Sequence, residues 1–371
     1  MKALGIIFSN IHDNTLPELV RKRTVASIPF GGRYRLIDFT LSNMVNSGID
    51  TVGVITKRNY QSLMDHVGSG KDWDLARKNG GLIMLPPFGV VGDIDSLYSS
   101  RLEALKSITN FISRADEEYV VMTDCNIVFR MSFDEVIEEH IKNNADITLV
   151  YTKHKKENRP ETSATVLTVD EDNKVNGIKY EEELNEDGNL FMNVYVMKRS
   201  LLQSIILDSI SHNKRHFTTD ILASAIGNMR IYGYEHKGYY AAISSLQAYY
   251  EHSLELLDEK NRHDIFGDRS IFTKIRDSAP TKYGATAVVK NSLIADGCVI
   301  EGEVENSILF RGVKIARGTK VKNCVLMQDT VTGENVSLNC IITDKNVVIR
   351  DRRILSGSEN HPFYIGKGSM I

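Results

Sequence analysis

The sequence predicts an α/β domain followed by a C-terminal left-handed parallel β-helix of hexapeptide repeats, and the period of its apolar residues carries that reading. Over residues 2–257 short apolar runs alternate with amphipathic stretches, whereas from Ala285 onward apolar residues recur at intervals of six. With 371 residues, 42% of them hydrophobic and 25% charged, the chain is long enough to bury two cores.

The elements follow in order. Residues 3–8, 51–56, 119–123 and 146–151 read as buried strands, and residues 39–45, 96–112 and 133–142 show helical spacing. Strands alternating with helices indicate βαβ units and a Rossmann-like domain with a mostly parallel sheet, with ligands expected at the carboxyl ends of the strands. A helix over 245–257 closes this domain (residues 1–257), and the charged, aperiodic segment 258–283 reads as a linker. In the remainder, 284–371, Leu309, Ile315, Val321 and Met327 form one apolar row and Gly312 and Gly318 repeat at the same interval. An interrupted second row runs through Val313, Val325 and Val331, with Ile341 and Val347 again six apart. Six-residue rungs of this kind mark stacked coils that bury a continuous core. An irregular β-sandwich is the alternative that these imperfect repeats leave open.

Composition narrows the partners. A net charge of −3 without a long basic run gives no footprint for nucleic acid or an anionic membrane. No apolar segment approaches the roughly 18 residues of a membrane span, and the start of the chain lacks the pattern of a signal peptide, so a cytoplasmic location is expected. Cys125, Cys298, Cys324 and Cys340 are scattered, without the close pairing of a zinc site, and are expected to be buried reduced thiols.

One string is specific. The run Ile28-Pro29-Phe30-Gly31-Gly32-Arg33-Tyr34-Arg35-Leu36-Ile37-Asp38-Phe39-Thr40-Leu41-Ser42-Asn43, continued by Asn46-Ser47-Gly48-Ile49-Asp50-Thr51-Val52-Gly53-Val54, closely resembles bacterial ADP-glucose pyrophosphorylases, also called glucose-1-phosphate adenylyltransferases. Similarity at Gly92-Asp93-Ile94-Asp95-Ser96-Leu97-Tyr98, at Asn144-Ala145-Asp146-Ile147-Thr148 and over 291–322 extends it along essentially the whole chain. Read from the residues alone, Pro29-Phe30-Gly31-Gly32 is a tight turn in which the glycines permit positive φ or close backbone approach, with a structural and a ligand-binding reading equally open.

The family's reaction joins a sugar 1-phosphate to the α-phosphate of ATP, which implies a phosphate cradle and magnesium held by carboxylates. In the family a glycine-rich loop ending in arginine follows the first strand, where bare backbone N–H groups wrap the triphosphate. Here the place is taken by Ser9, Asn10, Ile11, His12, Asp13, Asn14 and Thr15, with neither glycine nor arginine, and Asp13 repels phosphate. The aspartate after the strand near residue 120 aligns with Asn126, whose amide oxygen carries no formal charge, and Asp124 lies two residues away as a possible substitute. The second metal aspartate aligns with Ala242, and its neighbouring lysine with Ala241. The sugar-phosphate lysine corresponds best to Glu183.

Four stations thus fail together while the scaffold strings remain, so the resemblance implies a chain that is catalytically inactive alone, with no catalytic or metal residues and no cofactor of its own. It implies a regulatory subunit partnering a catalytic ADP-glucose pyrophosphorylase chain, which supplies the magnesium, in a heterotetramer. Lys22 and Arg23 match a basic pair where phosphorylated metabolites regulate the family, with Arg33 and Arg35 nearby and Arg352 and Arg353 as further candidates. Being polar and outside the coils, Lys22 and Arg23 are expected to tolerate charge reversal without loss of assembly. Two alternatives remain: an active sugar-nucleotide nucleotidyltransferase using Asp124 or Asp95 for metal, and a sugar-phosphate sensor.

Overall fold

The computed structural model describes residues 2–86, 98–156, 158 and 161–371. It divides into two compact units, Met1–Ile11 with Phe39–Tyr240, and His12–Asp38 with Ala241–Ile371.

Among the described residues a nine-stranded sheet dominates the first unit: β1 (Ala3–Phe8), β2 (Thr51–Ile55), β3 (Gly81–Leu85), β4 (Tyr119–Asp124), β5 (Ile147–His154), β6 (Glu161–Val169), β7 (Val175–Leu184), β8 (Gly188–Lys198) and β9 (Ile231–His236). Across the sheet they run β7-β6-β8-β4-β1-β2-β3, with β5 beside β8 and β9 beside β5. β1 to β4 are mutually parallel where they pair, and β9 is parallel to β5. β8 is antiparallel to its neighbours, and β6 and β7 form an antiparallel hairpin that the apolar pattern did not single out. The hairpin escapes because β7 is largely solvent-facing, its Glu181-Glu182-Glu183 run offering no apolar row. β1, β2 and β4 are buried along their full length, as expected of parallel strands covered on both faces. The chain passes from β1 to β2 on one side and places β4 on the other, so the sheet's direction of progression reverses between β1 and β4. In open α/β sheets the carboxyl ends of strands at such a reversal are where ligands bind.

The helix expected over 96–112 is two helices among the described residues, α1 (Arg101–Ser107) and α2 (Thr109–Arg114). Ser100 caps α1 by accepting a hydrogen bond from the Glu103 amide at 3.2 Å. The break at Ile108 coincides with side chains that bond back to the helix: Ser107 Oγ donates to the Ala104 carbonyl at 2.6 Å and Thr109 Oγ1 to that of Lys106 at 2.8 Å. Helix α3 (Phe133–Lys142) forms where its apolar spacing predicts.

The second unit is dominated by three five-stranded parallel sheets, the arrangement of a left-handed β-helix of hexapeptide repeats. Leu309, Ile315 and Val321 lie on three successive faces, pairing with Leu326, Ile300 and Leu338 of neighbouring coils, and all are buried. Of the second row, Val313 and Val325 are buried and Val331 half-buried. Many corners carry a residue at positive φ, and those residues recur coil by coil in three series: Gly297, Gly312, Asp329 and Asn346; Asn291, Asn306, Asn323 and Cys340; Gly318, Asn335 and Arg352. Gly, Asn and Asp fill most corners because they tolerate the left-handed region best. The four cysteines are free and buried, and burial pushes the Cys298 thiol up to about 11.

Segment 258–283 differs from the aperiodic linker expected. It begins with a helix, α5 (Glu259–Phe266), whose N-cap Asp258 accepts from the Asn261 amide at 3.1 Å, following α4 (Leu246–Glu255), capped by Ser245 at 3.0 Å from the Ala248 amide. Lys282–Tyr283 is already the first strand of the coils. Residues 12–38 and the two helices join this unit through long-range bonds: Tyr249 OH donates to the Pro29 carbonyl at 2.8 Å and Tyr250 OH to that of Asn323 at 2.7 Å. The change of period at residue 284 marks where coils begin, not where compact packing divides.

Candidate functional site

Phe8 and Asp124 form the last paired position between β1 and β4. Two residues beyond each lie Asn10 and Asn126, both more than nine-tenths buried. Asn10 Oδ1 accepts from Tyr98 OH at 3.2 Å, while among the described residues its Nδ2 has no hydrogen-bond partner, and neither does Asn126 Oδ1. Lys57, just past β2, donates to the Tyr98 carbonyl at 2.8 Å and sits 5.4 Å from the centre of the Tyr98 ring. Ser9 turns away, its hydroxyl donating to the Ile55 carbonyl at 2.7 Å.

Asp124, fully buried, is gripped by Arg101 at the start of α1: Nε donates to Oδ1 at 2.9 Å and Nη2 donates to Oδ2. Burial alone lowers a guanidinium pKa, but the Asp124 charge outweighs it and holds that of Arg101 above its ordinary value. Asp124 therefore meets a guanidinium fork in the geometry in which a carboxylate is best satisfied. Arg101 had no signal in the sequence, because its partner lies 23 residues away on another element.

The retained family string also has a structural use in this unit. Asn43 Nδ2 donates to the Phe129 carbonyl at 3.0 Å, its Oδ1 accepts from the Met131 amide at 3.2 Å, and Ser47 Oγ accepts from the Phe133 amide at 2.7 Å. These bonds fix the chain just beyond Asn126. Glu183 is exposed on β7, and Asp95 lies outside the described residues.

The other sequence-selected positions belong to the second unit. His12 accepts at its carbonyl from the Thr15 amide at 3.1 Å, Asp13 Oδ1 accepts from the Val25 amide at 3.0 Å, and Asn14 is exposed. Ala242 ends a short strand, Tyr240–Ala242, and offers no side-chain ligand. Gly31 and Gly32, at φ 59° and 80°, make the turn of a hairpin pairing Pro29 with Arg35 and Phe30 with Tyr34. Tyr34 stacks on Phe266 with ring centres 5.1 Å apart, so the turn has a packing role without any ligand.

The four basic candidates fare differently. Lys22 and Arg33 are exposed, Arg33 lying 5.6 Å from the centre of the Tyr34 ring. Arg35 is buried in side chain, and its amide donates to Asp38 at 3.0 Å. Arg23 is buried and grips Asp344 with Nη2 at 2.6 and 2.8 Å to the two carboxylate oxygens. Tyr364 OH donates to the same carboxylate at 2.9 Å. The expectation that Arg23 lies outside the coils is thus corrected: it is tied to one of them, across 321 residues of sequence.

Beside Asp344 sits Lys345, which the sequence did not single out. Burial first, then the charges of Arg35 and Arg23, against the pull of Asp344, push its pKa down to about 7. Arg276 adds to the same positive field. Cationic side chains thus gather around Lys345 beside the carboxylate of Asp344, the kind of field that attracts an anion. Arg352 and Arg353 are exposed, and Arg352 is a left-handed corner residue of a coil.

Comparison with known proteins agrees with this architecture. Residues 15–259 match the family model described as nucleotidyl transferase, and residues 278–360 the model of the GlmU-like C-terminal hexapeptide. The chain is 35% identical to the glycogen biosynthesis protein GlgD of Bacillus subtilis, covering 98% of this chain and 96% of that one. It is likewise 35% identical to GlgD of Geobacillus stearothermophilus, over 100% of this chain and 97% of the relative. A glucose-1-phosphate adenylyltransferase of Clostridium acetobutylicum is 32% identical over 85% of this chain and 83% of its own length. Among the described residues no helix is long and apolar enough to cross a membrane.

Proposed function

The chain belongs to the nucleotidyl transferase family, in its ADP-glucose pyrophosphorylase group and most like GlgD, and from that premise we propose that it is a regulatory, non-catalytic subunit in glycogen biosynthesis. Its partner is a catalytic homologue that makes ADP-glucose from ATP and glucose 1-phosphate, and the two form a mixed tetramer in the cytoplasm. One observation carries the reading: Asp124, the carboxylate at the end of β4, is engaged by the Arg101 fork, while the aligned metal positions hold Asn126 and Ala242. Nucleotidyl transfer depends on cations that neutralise developing charge and on donors preorganised around phosphate. A carboxylate already paired to an arginine, with an amide beside it, supplies neither.

Magnesium in this reading is held by the catalytic partner. The cationic side chains gathered at Lys345, Arg23 and Arg35 support a role in responding to a phosphorylated metabolite, with Lys22 and Arg33 at hand on the surface. The same cluster is what favours the second reading, a sugar-phosphate sensor acting without an enzyme partner. An independent nucleotidyltransferase is disfavoured by the Arg101–Asp124 pair.

Co-expression with a catalytic homologue, size-exclusion chromatography and kinetics of the mixture test the proposal. Co-elution with faster turnover, or with a changed response to phosphorylated effectors, is expected. Separate elution with kinetics unchanged on mixing overturns the regulatory reading.

A further inference from the structure

Strands β1 to β4 lie side by side in the order β4-β1-β2-β3 and run parallel, so their amino ends share one edge of the sheet, opposite the Asp124 end. That edge holds a cavity of about 660 Å³. Lys2, Asp50, Gly80 and Glu117, each just ahead of one of the four strands, line it, and α2 contributes Phe111 and Arg114. The volume falls in the range of small-molecule sites, about 300–1,000 Å³.

Part of the lining is apolar and anchored to the core. Ile83, Phe111 and Ala115 all face the cavity and pack on the main hydrophobic cluster of the first unit. A Cβ on Gly53 would stand 2.6 Å from the Phe111 ring, so the absence of a side chain there lets the ring rest directly on β2. The charged groups differ in exposure. Lys2, Arg114 and Asp116 are exposed, and the half-buried Asp50 is paired with Arg77 at 2.9 Å. Glu117 is only 8% exposed. Its carbonyl accepts from Arg199 Nε at 2.7 Å, but among the described residues no hydrogen bond or ion pair reaches its carboxylate. Neither carboxylate oxygen is among the sealed atoms, so a molecule in the cavity that Glu117 lines can reach it.

A carboxylate drawn this far out of water without a partner is costly until a cation joins it. Lys2 and Arg114 remain solvated, where their charges are screened. We propose that the cavity binds a small organic cation, with a primary ammonium on Glu117 and an aromatic body against Phe111 and Ile83. The attraction of such a pair is about fourfold stronger at an effective dielectric constant of about 20 than in water, which favours the buried carboxylate over the exposed ones. A phosphorylated ligand would face Glu117, Asp116 and Asp50 together. A bare metal ion lacks its ligand set, since among the described residues no three His, Cys, Asp or Glu side chains gather to hold one.

The site lies in the first unit, away from the Arg23–Asp344 pair in sequence and in compact packing, and the proposal stands whether or not the chain partners a catalytic homologue. Titration calorimetry of the full chain compares phenethylamine with its anionic counterpart, 3-phenylpropionate. Phenethylamine should bind one to one at millimolar concentration or below, tenfold or more tighter than 3-phenylpropionate, and Glu117→Gln should weaken it tenfold or more. No saturable binding, 3-phenylpropionate bound as tightly, or a folded Glu117→Gln chain that binds like the wild type overturns the proposal. Amide hydrogen exchange of the unmodified chain locates the site without any variant. Phenethylamine should slow exchange within residues 79–83 and 109–117, and protection confined to other segments overturns the proposal even where Glu117→Gln fails to fold.

Discussion

Two buried arginine–aspartate pairs occupy the two places where the family resemblance implies a charged ligand, and they differ in what surrounds them. At the carboxyl ends of β1 and β4 Arg101 and Asp124 balance each other, and among the described residues the neutral amide atoms Asn10 Nδ2 and Asn126 Oδ1 have no partner. In the second unit Arg23 and Asp344 balance each other too, and Lys345, on which the charges of Arg35 and Arg276 also act, sits beside them. A paired arginine and aspartate thus stand beside neutral amides in one region and beside further cationic side chains in the other. On the proposed function, the first region has lost nucleotidyl-transfer chemistry and the second serves anion recognition.

The largest expected effect breaks a pair. Arg23→Ala leaves Asp344 buried without its guanidinium and should cost about 3–5 kcal/mol in chemical denaturation. A cost under ~1 kcal/mol would mean that the pair is not buried in solution. Charge reversal at Arg23 is for the same reason no clean test of effector binding, because a carboxylate there faces Asp344 directly.

A smaller effect probes the coils. Ile315→Ala removes a fully buried side chain from the stack and should cost about 2–5 kcal/mol, read as a lower midpoint in urea.

The charge on Lys345 has a pH signature. The folded-state pKa of Lys345 is depressed to about 7 from its ordinary value near 10.5, so between these values the unfolded chain binds the extra proton and the folded chain does not. Stability from this group therefore rises with pH from about 7 to about 10.5, and below 7 the burial of a charged ammonium is felt in full. Lys345→Met should flatten that rise in a series of melting curves. An anion bound there favours the charged ammonium, so sulfate, whose charge does not change over this range, should bind more tightly at pH 6 than at pH 8.5, a difference that Lys345→Met abolishes. Equal affinity at both pH values would separate Lys345 from anion binding.

Lys22→Glu is the mildest change. The side chain is exposed, so stability should move by less than about 0.5 kcal/mol while any effector response of the mixed assembly is blunted. An unchanged response would remove Lys22 from the candidate effector residues and sharpen the role of Lys345.

What the sequence made legible follows from local physics. The apolar runs of β1 and β4 and the six-residue row through Leu309, Ile315 and Val321 are visible because burial imposes a period on consecutive residues. The second corner series, Asn291, Asn306 and Asn323, was equally present, but its spacing of 15 and 17 does not match the six-residue rung and was missed. The helix at 259–266 is polar on most of its surface, and only its Asp258 cap marks it. The emptied stations at Asn126 and Ala242 were readable residue by residue against the family pattern. The pairs Arg101–Asp124 and Arg23–Asp344 were not, since a contact between distant elements leaves no periodic trace.

The most direct test of the central claim is the formation of ADP-glucose by the purified chain alone from ATP and glucose 1-phosphate with magnesium, set beside the same assay of a catalytic homologue. No product above the enzyme-free control is expected from this chain, and aspartate at both Asn126 and Ala242 should restore activity only in part, since the loop at Ser9–Asn14 still lacks a phosphate cradle. Robust turnover by the unmodified chain, abolished by Asp124→Asn, would contradict the account.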